Sequence, residues 1–110
     1  KDTNRKVILM KSKKKFAMMM MDAQYDTKRD YAVFETEEVE THMITVNSPE
    51  QAVQMAKELA EQGFGAIEVC GAFGEELARK MYEATGNKVS VGYIVCPPDQ
   101  KELSDRFWQA

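Results

Sequence analysis

The chain has 110 residues, 44% hydrophobic and 30% charged, with two cysteines. These values exclude a disordered protein and a disulfide scaffold, and no apolar run approaches the ~20 residues of a bilayer-spanning helix. The net charge of −3 hides a split: residues 1–15 carry seven Lys and Arg against Asp2, a net +6, which leaves −9 for the remainder.

Residues 1–12 read as a basic N-terminal arm, ahead of an α/β core over 13–96 and a helical tail over 97–110. Residues 7–10 (VILM) lie between basic residues and suit an exchanged arm or an added edge strand. They are too short for a signal peptide, and lysines follow where a small-residue cleavage site would stand. A cytoplasmic protein with reduced thiols is therefore expected. Lys11, Lys13, Lys14 and Lys15 lack interleaved aromatic residues and precede an acidic body, so neither nucleic acid nor membrane is expected as a partner. Lysines on a strand edge also discourage edge-to-edge pairing.

Residues 16–21 (FAMMMM) form an unbroken apolar run, short enough for a strand buried on both faces. Residues 22–31 are polar and follow neither period, which marks a loop. Residues 32–34 (AVF) make a short strand or the packed part of that connection. Residues 41–46 (THMITV) alternate and are β-branched, which predicts a second strand. Ser48-Pro49-Glu50-Gln51 opens a helix: Ser48 caps, Pro49 suits the first helical position, and Gln51 completes a capping box. Ala52, Val53, Ala56, Leu59 and Ala60 form its apolar stripe, and Gly63 ends it. Residues 66–70 (AIEVC) form the next strand. A second amphipathic helix follows, with Leu77, Ala78, Met81, Tyr82 and Thr85 on one face, and Gly86 stops it. Residues 89–95 form the last strand, which Pro97 and Pro98 end. Residues 99–109 make a short helix with Leu103, Phe107 and Trp108 as its apolar side.

This succession predicts an α/β domain: a small, mostly parallel sheet with a βαβαβ core of flavodoxin-like or half-Rossmann-like type and a short C-terminal helix. Crossovers are right-handed. If the strand order runs one way, both helices lie on one face. The other face, with Ala66, Glu68, Cys70, Ser90, Gly92, Ile94 and Cys96, then needs a cover: the terminal helix, the 22–40 segment or a second copy. If the order switches, one helix lies on each face and a ligand crevice opens.

Ligands in open parallel sheets collect at the carboxyl ends of the strands. There Gly71, Ala72, Phe73 and Gly74 lead into a helix, so backbone N–H groups and the helix N-terminus favour a small anion. The turn is shorter than any dinucleotide or P-loop fingerprint, so no cofactor is expected, and Glu75 and Glu76 compete with an anion. The simpler reading is a strand-to-helix turn with acidic capping. Glu68, midway along an apolar strand, reads either as an acid/base beside Cys70 and Cys96 or as a charge facing water or a subunit interface. Two thiols flanking one pocket can exchange the proton of a carbon acid if one is a thiolate, which makes an isomerase- or racemase-like enzyme the alternative. No cation neighbours either cysteine in sequence, and buried small hydrophobes are the simpler reading. His42, the single histidine, lacks partners at zinc spacing and reads as a sheet residue with a hydrogen bond. Asp22, Asp26 and Asp30 enclose Lys28 and Arg29 and lack a calcium-loop glycine, so no metal is expected.

Residues 32–36 (AVFET) and 39–41 (VET), taken with residues 67–74 (IEVCGAFG), resemble a family of short prokaryotic proteins of unknown function, over about residues 13–96. The resemblance implies that Glu35, Thr36, Glu40, Glu68 and Gly71 belong to one shared site or one packing arrangement; it implies no activity. The 65–74 stretch is loosely similar to the strand-Cys-Gly turn of aspartate/glutamate racemases, two-domain enzymes with a second cysteine that only Cys96 or a second copy supplies here. The expectation is a small homo-oligomeric domain that binds a small anionic metabolite through residues 71–74, Glu35, Thr36 and Glu40. The alternatives are the racemase-like enzyme using Glu68, Cys70 and Cys96, and a purely structural interaction module.

Overall fold

The computed structural model describes residues 13–109. Its elements are β1 (Lys14–Met21), β2 (Tyr31–Glu35), β3 (Val39–Val46), α1 (Pro49–Glu61), β4 (Ala66–Val69), α2 (Gly74–Ala84) and β5 (Ser90–Tyr93). A 3-10 turn (Pro98–Gln100) then leads into α3 (Lys101–Gln109). The basic arm expected over residues 1–12 lies outside the described residues.

The strands form one five-stranded sheet in the order β2-β3-β1-β4-β5. β3, β1, β4 and β5 are mutually parallel, but β2 runs antiparallel to β3, so the sheet is mixed. Thr36 is the reason: its Oγ1 accepts the Glu38 and Val39 N–H groups at 3.3 and 3.1 Å, closing a tight turn that reverses the chain into β3. α1 begins where the sequence places it. Ser48 Oγ accepts the Gln51 N–H at 3.2 Å, while the Gln51 carboxamide reaches back to the Asn47 N–H at 2.6 Å, one residue before the capping-box position.

From β3 the chain crosses β1 to reach β4, then steps to β5, always in one direction. Right-handed crossovers therefore put α1 and α2 on the same face, where they pack on each other. The direction reverses once, since β1 leads to β3 on one side and β3 then leads back across β1 to β4, but the β1-to-β3 connection carries β2 in place of a helix, so the flavodoxin-like arrangement with helices on both faces does not form. Ala17, Met19, Ile44, Val46, Ile67 and Val69 of the sheet meet Ala52, Ala56, Leu59, Ala78 and Met81 of the helices in the core. Each large side chain buried there stabilises the fold by about 1.5–3 kcal/mol.

The opposite face presents two level rows across the strands: Ala32-Met43-Met18-Glu68-Gly92 and Phe34-Thr41-Phe16-Ala66-Ser90. None of the helices packs on it. Phe16 and Met18 stand on the central strand yet are only half-buried, which corrects the expectation that β1 is buried on both faces. The 22–30 segment reaches the carboxyl end of β3, where Thr45 Oγ1 donates to the Asp30 carbonyl at 2.8 Å. No helix of the described residues is long and apolar enough to cross a membrane.

Candidate functional site

Glu68 stands in the middle of the open face, level with Met18 on one side and Gly92 on the other. A Cβ added at Gly92 would lie 3.6 Å from Glu68 Cγ, so the glycine leaves the carboxylate open towards the β5 edge. Glu68 is exposed and has neither ion-pair nor hydrogen-bond partner among the described residues. Facing water, it escapes the desolvation that an interior carboxylate would suffer.

The expected cysteine pair is not assembled beside it. Val69 is level with Tyr93, and the Ile94 N–H continues the ladder to the Val69 carbonyl at 3.2 Å. Ile94 is thus level with Cys70, and Cys96 comes two residues later, beyond the end of β5. Cys70 is half-buried against the core, whereas Cys96 is exposed. Residues 71–74 form the strand-to-helix turn: the Phe73 N–H donates to the Cys70 carbonyl at 3.1 Å, and the Phe73 ring is buried. Phe73 gives α2 no side-chain cap, and Glu75 and Glu76 occupy its first turn, so the charge at that end is already negative.

Glu35, Thr36 and Glu40 lie at the other edge of the sheet. Glu40 is level with Glu35 and with Lys15 near the start of β1, while Val69, two residues before Gly71, is level with Met19. About six residues of strand, roughly 20 Å, separate the two groups. The residues that the family resemblance joined are therefore spread over both ends of the sheet, too far apart to hold one metabolite.

That far edge holds a cluster that sequence reasoning missed. Tyr31 Oη and His42 Nδ1 share a hydrogen bond of 2.8 Å, and His42 Nε2 lies 3.2 Å from Glu40 Oε1. An Nε2–H donated to the carboxylate leaves Nδ1 to accept the phenol proton, a consistent chain for a neutral imidazole. The His42 ring meets Phe64 edge-on at 4.8 Å, and the Lys15 ammonium sits 4.9 Å from the Phe64 centroid. Lys13 pairs with Glu35 at 2.5 Å and holds that carboxyl below the usual carboxylate range. Lys15 donates to the Gln62 carbonyl at 3.0 Å. Lys13 and Lys15 are thus engaged within the fold. Finding this cluster required the β2–β3 register, because Tyr31 and His42 are eleven positions apart.

The aspartates of the 22–30 loop hold that loop together. Asp26 Oδ1 accepts the Lys28 and Arg29 N–H groups at 2.9 and 3.1 Å, and these bonds hold its carboxyl low. Arg29 forks onto Asp30 at 3.0 and 2.8 Å. No group of three or more His, Cys, Asp or Glu among the described residues is arranged to hold a metal ion. A groove of about 950 Å³ runs between α2 and the β5 edge, lined by Glu75, Arg79, Tyr82, Glu83, Ser90 and Tyr93 among others. It takes in neither Glu68, the cysteines nor His42.

These features define a class: an α/β domain with its helix layer on one face of a mixed five-stranded sheet and a largely apolar second face, around one carboxylate, on which no helix of the described residues packs. Within it, the chain belongs to the family of unknown function DUF6506, which residues 14–109 match. The match runs through α3, so the terminal helix is part of the family's domain, whereas the resemblance read from the sequence stopped at Cys96. No curated protein and no solved structure matches the chain.

Proposed function

We propose that this domain is a self-associating interaction module, that the open sheet face is its working surface, and that the homo-oligomer is its functional form. The observation that supports this reading is Glu68, a carboxylate without a partner among the described residues, set in the row of Met43, Met18 and Gly92 on a face that no described helix covers. An apolar patch around one fixed charge has the composition of a recognition surface. Two free thiols, one of them exposed, fit a reducing compartment such as the cytoplasm. Sedimentation equilibrium from low micromolar to submillimolar concentration tests the reading: a dimer or larger species is expected, and a monomer throughout refutes it.

A second reading, small-ligand binding, is favoured by the space that Gly92 leaves beside Glu68. The ligand class fitting that position is a small amine with an apolar body. The anionic metabolite first expected at residues 71–74 fits less well, since Glu75 and Glu76 already occupy that helix start. A thermal-shift screen should show amines stabilising the wild type but not Glu68→Gln; stabilisation by carboxylates alone sinks this reading. The racemase-like mechanism receives no support from the sheet, because the β4–β5 pairing ends at Val69 and Tyr93, before either cysteine.

A further inference from the structure

Besides the open sheet face, α3 carries an apolar surface that has no partner among the described residues. In α3, Leu103, Phe107 and Trp108 are 64%, 68% and 78% exposed, and the helix packs mainly on the 3-10 turn that precedes it. Phe107 and Trp108 stack edge to face at 4.9 Å, which makes them one rigid aromatic block. Arg106 stands one turn from Leu103 and beside Phe107, on the rim of this face. It has no ion-pair partner among the described residues, whereas Lys101 is held by Asp105 at 2.6 Å. Among the described residues the sheet face thus carries an unpaired anion, Glu68, amid apolar side chains, and α3 carries an unpaired cation, Arg106, beside the apolar block, with Glu102, also unpaired, one turn back towards the helix start.

From this complementarity we infer that α3 of one copy lies across the open sheet face of a second copy, reciprocally, with Arg106 of each opposite Glu68 of the other. This rests on the self-association proposed above and adds which surfaces meet. Pro97 is extended (φ −57, ψ 144) and Pro98 opens the 3-10 turn, so two residues of fixed φ set how the chain passes from β5 into α3. The area suffices. Phe and Trp bury about 150–250 Å² each, so two reciprocal helices and the sheet surface they cover bury roughly 1,500 Å², the size of a standard stable interface. Glu68 and Arg106 then form a pair shielded by methionine and aromatic side chains, where removing either charge strands the other.

The test uses the full chain and charge reversal. Glu68→Arg and Arg106→Glu alone should each raise the dimer dissociation constant about tenfold or more, and the double reversal should return it to within about threefold of wild type. Both positions are exposed, and far-UV circular dichroism checks that each variant folds. Trp108 is the single tryptophan, so its emission should shift to the blue with rising concentration at the midpoint given by sedimentation. A dimer indifferent to both reversals, or single variants that the double does not restore, overturns the α3 docking and leaves self-association standing. A monomer whose Trp108 emission is blue-shifted at every concentration overturns both, because the helix then folds onto its own sheet.

Discussion

Thr85 joins α2 to β5, and removing its hydroxyl should destabilise the fold more than its size suggests. The side chain is 6% exposed. Oγ1 donates to the Tyr82 carbonyl at 2.6 Å and accepts the Lys88 and Val89 N–H groups at 3.3 and 3.2 Å. Thr85→Val keeps the shape and the β-branch but removes all of these bonds, leaving the Val89 N–H buried without its acceptor. The stranded Val89 donor costs about 1–3 kcal/mol and the lost Tyr82 bond about 1 kcal/mol, while water replaces the bond to the exposed Lys88, which gives a loss of about 2–4 kcal/mol. For a domain of this length that lowers Tm by roughly 10–25 °C. Thr85→Ser keeps the hydroxyl and should lose only about 0.5–1 kcal/mol with the methyl group. Urea unfolding followed by far-UV circular dichroism measures both. Protein concentration must be held fixed, since association adds to apparent stability, and m should stay constant. A valine variant within about 0.5 kcal/mol of wild type, or a serine variant as damaged as valine, refutes the hydrogen-bond argument.

The start of α1 gives a simpler test: Ser48→Ala should destabilise by about 1 kcal/mol and Ser48→Gly by less, and an alanine variant as stable as wild type would show the cap to be idle. Gly86 has φ +76 with only Lys88 Cε near an added Cβ, at 4.0 Å, so Gly86→Ala should lose about 1–2 kcal/mol through backbone strain alone. Gly65→Ala is the control, with nothing within 4 Å and no left-handed backbone, and an equal loss there would remove strain as the cause. Asp30 provides the pH test: hydrogen bonding from Arg29, then from the Asp26 N–H, lowers its carboxyl to about 2. Because the folded value lies below the ordinary 3.8, the stabilisation is fully present above that value and is lost as pH falls from about 4 through 2. Carbon NMR should place the Asp30 midpoint near 2 and move it up in Arg29→Ala; a wild-type midpoint at the ordinary value refutes the pairing.

The elements were legible in the sequence because each carried its own punctuation. Ser48-Pro49 and the Val53, Ala56 and Ala60 stripe mark α1 without any tertiary information, and Pro97-Pro98 does the same for the end of β5. The geometry of the open face was legible as a condition: given one-way strand order, Ala66, Glu68, Ser90 and Gly92 had to share a face. The order itself was not legible, because residues 32–34 read equally well as strand or packed connection. Thr36, whose hydroxyl closes the hairpin turn, fixes β2 beside β3, and the pairing of β1 with both β3 and β4 sets the rest. The site residues fared worse for the same reason. Glu35, Glu40 and Gly71 are linked by motif blocks, yet their separation depends on pairings that local sequence does not specify. The Tyr31–His42–Glu40 chain is likewise a product of register.

The bare face follows from the order in which the chain lays down its strands. After β1 comes a loop and an in-plane hairpin in place of a helix, so only the β3-to-β4 and β4-to-β5 crossovers remain, and both move the same way. Right-handedness then assigns both helices to one side, whatever the side chains on the other. A sheet meant to face water on that side would alternate apolar and polar residues, as one-sided sheets do. β1 does not alternate: Phe16, Met18 and Met20 point away from the helices as Ala17, Met19 and Met21 point towards them. A central strand written for burial on both sides, in a chain whose topology can bury only one, is the physical reason to place a second copy there.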